Sequence, residues 1–185
     1  MGYSVRATMP CVGLLVAAIT SCGSHTPSAK PTSLGSPQEI VARSATALSH
    51  IRQVTVSWDY QGYKGTASSG RLVVTPTGSR PIGRHLPREA PPPHATLGEL
   101  VKAVQSVTDF GCPPLANAHA HLTRGSDTTL HGTRVVQLTT GINGEVVLIA
   151  NLNPPALPQE VDLCGTGPFQ AEAGDTRIVF ADYHP

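Results

Sequence analysis

The chain has 185 residues, of which 13 are Lys or Arg and 12 are Asp or Glu, so its formal net charge at pH 7 is +1. Charged residues make up 14% of the sequence. This content is too low for a coiled coil or a wholly disordered chain. It also argues against a nucleic-acid-binding protein, because there is no long basic run to contact a phosphate backbone. We expect a small, sheet-rich globular domain instead.

The first 21 residues have the three parts of a secretory signal peptide. Arg6 is the only charged side chain before Lys30, residues 9–19 are mostly apolar, and small residues close the segment. The apolar run has roughly 11 residues, whereas a helix needs about 20 to span a bilayer. Residues 1–21 are therefore predicted to be a cleaved signal peptide.

The last residues of this segment, Ile19-Thr20-Ser21-Cys22, resemble the lipobox of bacterial lipoproteins. By that resemblance, Cys22 receives a diacylglycerol and further palmitate-type chains, which would hold the protein on the extracytoplasmic side of the cell membrane. Residues 22–35 would then be the lipidated Cys and a flexible tether rich in Ser, Thr, Pro and Gly. The alternatives are an ordinary secretory signal with an incidental Cys, and a buried hydrophobic segment.

Charge gives no second membrane signal. Loss of Arg6 with the signal peptide leaves 12 basic and 12 acidic residues. A neutral mature chain has no polybasic segment for anionic lipids, so attachment would depend on the acyl chains.

The four cysteines reduce to one pair once the signal peptide is recognised. Cys11 leaves with the signal peptide and Cys22 carries lipid, which leaves Cys112 and Cys164. Outside the cytoplasm such a pair is normally oxidised, so we predict a disulfide between them. A metal site is the competing interpretation, but the sequence lacks the C-x-x-C spacing that is typical of zinc sites.

Residues 36–185 are predicted to form a single α+β domain with two helices. Ser36-Pro37-Gln38-Glu39 forms a capping box and predicts a helix over about 37–50. Thr96-Leu97-Gly98-Glu99 forms a second capping box, whose helix should end near Gly111. Each helix has an apolar stripe, which indicates that one face packs on a hydrophobic core.

The strands follow from alternation and turn residues. Residues 54–61 alternate apolar and polar side chains, which predicts an antiparallel strand with one solvated face. Residues 71–75 are predicted to be a second strand, and residues 79–95, with three consecutive prolines, an extended loop. Further strands are predicted over about 117–123, 133–140, 145–150, 159–163 and 176–183. The run 146–149 is apolar on both faces, so it requires cover on both sides or a cavity on one.

A family resemblance rests on four late segments: 130–138 (LHGTRVVQL), 146–150 (VVLIA), 154–161 (PPALPQEV) and 178–183 (IVFADY). Together with the lipobox, the tether and the element order, they resemble the actinobacterial LppX and LprG lipoproteins, relatives of the LolA-like half-barrel carriers. The resemblance implies a curved antiparallel sheet with two main helices packed on one side. It also implies an apolar cavity that holds acyl chains.

The residues that would line this lipid pocket share an apolar character and positions on the predicted inner surfaces. They are Val56, Trp58, Tyr60, Leu100, Val104, Leu148 and Phe180. Simple core packing is the alternative role for Trp58 and Tyr60.

A paired histidine motif suggests a metal site only weakly. His119 and His121 are two residues apart, so on a strand they would lie on one face, and His131 could join them from a neighbouring strand. No further ligand has a suitable spacing, and a solvated strand face explains the pair equally. We expect no metal and no cofactor.

One basic cluster occurs in the predicted loop. Its members are Arg80, Arg84, His85 and Arg88. They could bind anionic headgroups near the mouth of a cavity or belong to a solvated loop.

Catalytic signatures are absent from the sequence. There is no Gly-x-Ser-x-Gly elbow and no Ser-x-x-Lys. The carboxylates that could pair for glycoside hydrolysis are Asp59, Asp109, Asp127, Glu145 and Glu160, but sequence spacing does not indicate which of them meet. We therefore expect a membrane-anchored envelope lipoprotein that binds or carries a lipid or other amphiphile without catalysis. The alternative is an anchored extracytoplasmic interaction domain with a filled core that acts through a protein partner.

Overall fold

The computed structural model describes residues 35–62, 65, 67–83, 94–109, 121–140, 144–164 and 174–185. The helices are Pro37–Ser49 (α1) and Leu97–Ser106 (α2), and a 3-10 turn at Val107–Asp109 follows α2. The strands are Gln53–Gly62 (β1), Ala67–Thr75 (β2), Gly78–Pro81 (β3), Leu122–Leu130 (β4), Thr133–Thr140 (β5), Val146–Asn151 (β6), Pro158–Cys164 (β7) and Gly174–His184 (β8).

The eight strands form one antiparallel sheet in the order β3-β2-β1-β8-β7-β6-β5-β4. Among the described strands, each neighbouring pair is consecutive in sequence except β1 and β8. The β1–β8 pairing joins strands β1–β3 to strands β4–β8. With α1 and α2 in contact with each other and with β7, the architecture is α+β, as predicted. No helix in the described ranges is long and apolar enough to cross a bilayer.

Both helices begin where the capping boxes predict. Thr96 Oγ1 accepts a hydrogen bond from the Glu99 backbone N–H at 3.2 Å, and Glu99 Oε2 accepts one from the Thr96 backbone N–H at 2.7 Å. Ser36 and Glu39 make the same reciprocal pair at the start of α1. These bonds satisfy amide groups that have no partner inside the helix.

The sheet has an inner face, which carries the side chains of Val54, Val56, Trp58 and Tyr60 of β1, and an opposite outer face. All four inner residues are at most 8% exposed and belong to one hydrophobic cluster with buried residues of both helices. On the outer face of β1, Ser57, Asp59 and Gln61 are exposed. The predicted alternation of β1 is therefore confirmed, with one exception: Thr55 is only 5% exposed.

Three predicted strand boundaries were wrong. β2 extends back to Ala67, because residues 67–70 pair with β1. Gly78–Pro81 is the short edge strand β3 rather than loop, since it pairs with residues 72–75. The strand predicted over 117–123 instead runs over Leu122–Leu130, because it pairs with β5. The triple proline lies outside the described residues, as do positions 117–120.

Other predictions were closer to the structure. The strands predicted over 133–140 and 145–150 are β5 and β6, which pair antiparallel. Val147, Leu148, Ile149 and Ala150 are all at most 7% exposed, so both faces of β6 are covered. The second helix ends at Ser106 and continues only as the 3-10 turn, earlier than the predicted stop at Gly111.

Candidate functional site

The residues predicted to line a lipid pocket lie in a single buried layer. Its members are all at most 8% exposed: Val56, Trp58, Tyr60, Leu100, Val104, Leu148 and Phe180. The strands contribute the inner faces of β1, β6 and β8, and α2 contributes two side chains from its apolar stripe. The seven side chains thus belong to one continuous apolar cluster between sheet and helices.

The two aromatic side chains of β1 pack against glycines on the neighbouring strands. Trp58 is directly opposite Gly70 of β2, and a Cβ atom placed on Gly70 would stand 2.8 Å from the indole ring. A Cβ on Gly174 of β8 would stand 2.7 Å from the Tyr60 ring. Both glycines are therefore required by close packing, since any larger side chain would displace the ring.

Polar atoms interrupt this apolar layer near Trp58. The indole Nε1 of Trp58 and the hydroxyl of Ser68 are buried and have no hydrogen-bond partner in the part of the chain that the structure describes. Ser44 Oγ of α1 and Asn151 Oδ1 of β6 are also buried without a hydrogen-bond partner among the described residues. Buried polar groups are nearly always paired, so an unpaired indole N–H within an apolar layer needs an explanation.

Further along β8, Tyr183 packs against the apolar layer, and its hydroxyl has a hydrogen-bond partner. Its ring stacks on Phe180 with a centroid distance of 6.4 Å, and its hydroxyl donates a hydrogen bond to the Pro158 carbonyl. Burial raises the pKa of Tyr183 well above its usual value. This hydroxyl is therefore a structural donor rather than a group that titrates in the physiological range.

Charged side chains gather instead around Arg177 of β8, on the outer face. Arg177 donates two hydrogen bonds to Glu160 of β7, at 2.8 and 2.7 Å. This ion pair raises the pKa of Arg177. Asp162 is directly opposite Arg177 in the β7–β8 register.

An acidic pocket of about 330 Å³ lies where β6 and β8 begin. Its acidic lining residues are Glu145, Glu160, Asp162 and Asp175, and Val146, Val147 and Leu163 complete its walls. Burial is the main cause that raises the pKa of Asp162 to about 6, with a further increase from Glu160, while Arg177 opposes the shift. Glu145 and Glu160 were candidates for a carboxylate pair from the sequence, but Asp162 and Asp175 were not. The four carboxylates are brought together as lining residues of this pocket, which sequence spacing does not indicate.

The remaining predicted site residues are dispersed. His121 is exposed just before β4, and His131 occupies a tight turn with φ +48°, followed by Gly132 at +81°. Two central residues with positive φ are typical of a type I′ hairpin turn. Arg80 is exposed on β3, and Asp127 pairs with Arg124 at 2.5 Å. No group of three His, Cys, Asp or Glu that could hold a metal occurs within the described ranges.

Several predicted positions lie outside the described residues. They are Cys22, Arg84, His85, Arg88, Cys112 and His119. Cys164 is described at the end of β7, opposite Asp175 of β8. The Cys112–Cys164 disulfide therefore stays a prediction.

Replacing Gly70 with Ala tests the packing of Trp58. The added methyl group would force the indole from its position, so we expect the free energy of unfolding to fall by about 1–3 kcal/mol. Urea denaturation measures this change. Gly98→Ala is the matched control, because its Cβ would meet only Thr96 Oγ1 at 3.7 Å in helix α2. The control should be neutral or stabilising, and an equal loss in both variants would contradict the packing role of Gly70.

Asp162→Asn tests the raised pKa of the Asp162 carboxyl. The folded chain keeps the Asp162 proton up to pH about 6, whereas the unfolded chain loses it near the ordinary value of 3.8. The unfolded state therefore binds fewer protons between these values, and this group's contribution to stability falls as pH rises from about 4 to 6. We expect the variant to gain roughly 1 kcal/mol relative to the parent between pH 4 and 7, after allowance for solvent screening. Denaturant titrations of both proteins at pH 4 and pH 7 measure this difference in the free energy of unfolding. If the free energies of parent and variant changed equally between the two pH values, the raised pKa would be refuted.

Comparison with known proteins gives no match to a family model and no match among curated proteins. Among solved structures, the crystal structure of LprF from Mycobacterium bovis aligns with a TM-score of 0.41 and 11% identity, over 80% of this chain and 95% of that one. A LolA superfamily protein from Nitrosomonas europaea aligns with a TM-score of 0.24 and 11% identity, over 81% of this chain and 93% of that one.

Proposed function

We propose that this protein is an envelope lipoprotein that binds or carries a lipid or other amphiphile on the inner face of its sheet, without catalysis. The observation that carries the proposal is the continuous apolar layer between sheet and helices, in which the Trp58 and Tyr60 rings pack against glycines. Acyl chains bind to such a surface because burial of apolar area contributes about 25 cal/mol per Å². The residues proposed to contact the ligand are the seven members of the predicted pocket.

The proposed anchor is an acylated Cys22 on the extracytoplasmic side of the cell membrane. The lipobox-like sequence Ile19-Thr20-Ser21-Cys22 and the polar segment that follows it support this location. Two or three acyl chains hold a protein stably on a membrane, whereas one chain alone is marginal. In this oxidising compartment, Cys112 and Cys164 would form the disulfide.

The second candidate is an anchored interaction domain with a filled core. A specific observation favours it: the seven pocket residues are at most 8% exposed, so protein atoms already cover them. In that case, the inner layer would be ordinary core, and a protein partner would contact the surface. The two candidates differ in whether lipid enters the inner layer, and this difference can be measured.

Cys22→Ser tests the anchor. The serine variant cannot form the thioether, so we expect it to lose incorporation of an alkyne-labelled palmitate and to leave the membrane fraction. The measurement is metabolic labelling of the full-length chain in a bacterium that processes lipoproteins, followed by fractionation. Cys11→Ser is the matched control and should retain both label and location. A Cys22→Ser protein that is labelled and sedimented like the parent would refute the anchor.

Native mass spectrometry of the full-length protein, purified in a detergent without ester groups, distinguishes the two candidates. A carrier should retain noncovalent lipid as added mass beyond the acyl chains on Cys22, and mild delipidation should remove that mass. Chloroform extraction would then identify the lipid. A single mass that accounts for the acylated chain alone would favour the filled-core interaction domain.

A further inference from the structure

The indole N–H of Trp58 is a buried hydrogen-bond donor whose acceptor is missing from the described residues. Trp58 is 4% exposed, and its Nε1 has no partner among those residues. The hydroxyl of Ser68, on the same face of the adjacent strand, is also buried and unpaired there. Gly70 is opposite Trp58 in the β1–β2 register, and Ser68 is opposite Tyr60. The Ser68 side chain therefore lies on the same face as the indole, in the diagonal position.

Among the described residues of β1, β2 and β8, no charged side chain lies beside Trp58 on the inner face. Along β1, β2 and β8, the charged side chains Asp59, Arg71 and Arg177 occupy outer-face positions, as the register pairs Ser57↔Arg71 and Asp59↔Arg177 show. The inner face there presents neutral polar residues among apolar ones. A carboxylate or phosphate would find no cation on this described part of the inner face, whereas a neutral acceptor oxygen would need only the two donors.

We propose that Trp58 and Ser68 form the polar subsite of the lipid-binding face and that they select amphiphiles with an ester carbonyl. The carbonyl oxygen accepts a hydrogen bond from Trp58 Nε1, and the Ser68 hydroxyl donates to a second oxygen of the same glycerol ester. The acyl chains extend over the apolar layer. This inference rests on the proposed function and adds the ligand class: neutral acyl glycerols rather than hydrocarbons, ether lipids or free fatty-acid anions.

The experiment compares two ligands that differ only in the carbonyl group. Dipalmitoylglycerol has two ester carbonyls, and dihexadecylglycerol has ether links of the same chain length. The full-length acylated protein is held in dodecyl maltoside, a detergent without esters. Because the chain contains a single Trp, a 15N-labelled sample shows one indole N–H resonance, which reports on Trp58 alone.

We expect the ester lipid to shift this indole resonance downfield and the ether lipid to leave it near its starting position. We also expect the ester lipid to bind about tenfold more tightly, as one hydrogen bond to an otherwise unpaired donor provides. Trp58→Phe should reduce this preference to about twofold or less, because Phe keeps an aromatic ring but has no N–H donor, and native mass spectrometry measures the affinity of both lipids for the variant.

Ser68→Ala is the second variant and removes a hydroxyl without disturbing the indole. It should weaken the binding of the ester lipid severalfold and affect the binding of the ether lipid less. Ser57→Ala is its matched control, since Ser57 is exposed on the outer face of β1 and should affect neither ligand.

The outcomes separate the two proposals. If both lipids bind the parent protein equally and the indole resonance does not respond, the polar subsite is refuted and the carrier function stands. An indole resonance already downfield before lipid is added would also refute the subsite, because the donor would then have another partner. If neither lipid binds, the ester preference is refuted, and native mass spectrometry of the purified full-length protein decides separately whether the carrier function stands.

Discussion

The pairing of β1 with β8 is the constraint on which the rest of this structure depends. It is the one place in the sheet where neighbouring strands are distant in sequence, and it brings Val56 opposite Phe180 and Trp58 opposite Ile178. A slip of one residue would turn Trp58 outward and Asp59 into the apolar layer, because side chains alternate between the faces. The cost of burying an unpaired carboxylate and exposing an indole keeps this register in place.

The same alternation separates two kinds of chemistry. On the inner face of β1, β2 and β8, the surface is largely apolar, with the neutral donors of Trp58 and Ser68 within it. On the outer face, Arg177 joins Glu160 in an ion pair beside a pocket of acidic side chains. The sheet therefore keeps charge away from the layer where acyl chains are proposed to bind. The proposed carrier function would use this separation, because an apolar ligand binds best apart from groups that require water.

Local sequence patterns predicted those elements whose conformation is decided by neighbouring residues. The two capping boxes located the helix starts, and the alternation of β1 indicated which of its side chains lie on the inner face. β3 and most of β4 were missed because their membership of the sheet comes from pairing with β2 and β5, while their own residues are largely polar. The residues of the candidate site also differ in whether local sequence could identify them. Trp58 was a candidate from its strand pattern, whereas Ser68 became one only when the register placed it on the same face as the indole.

Apolar burial by itself does not distinguish a lipid carrier from a domain with a filled core. The hydrophobic effect is non-directional, so an inner face is satisfied equally by leucine side chains and by the methylene groups of a lipid. Hydrogen bonds are directional, and a donor left unpaired in a dry interior loses its interaction with water without compensation. Phe in place of Trp58 would remove the unpaired N–H but would also leave a cavity beside Gly70. The unpaired indole N–H against Gly70 is therefore the feature of this layer on which the proposal of a ligand with an acceptor oxygen rests.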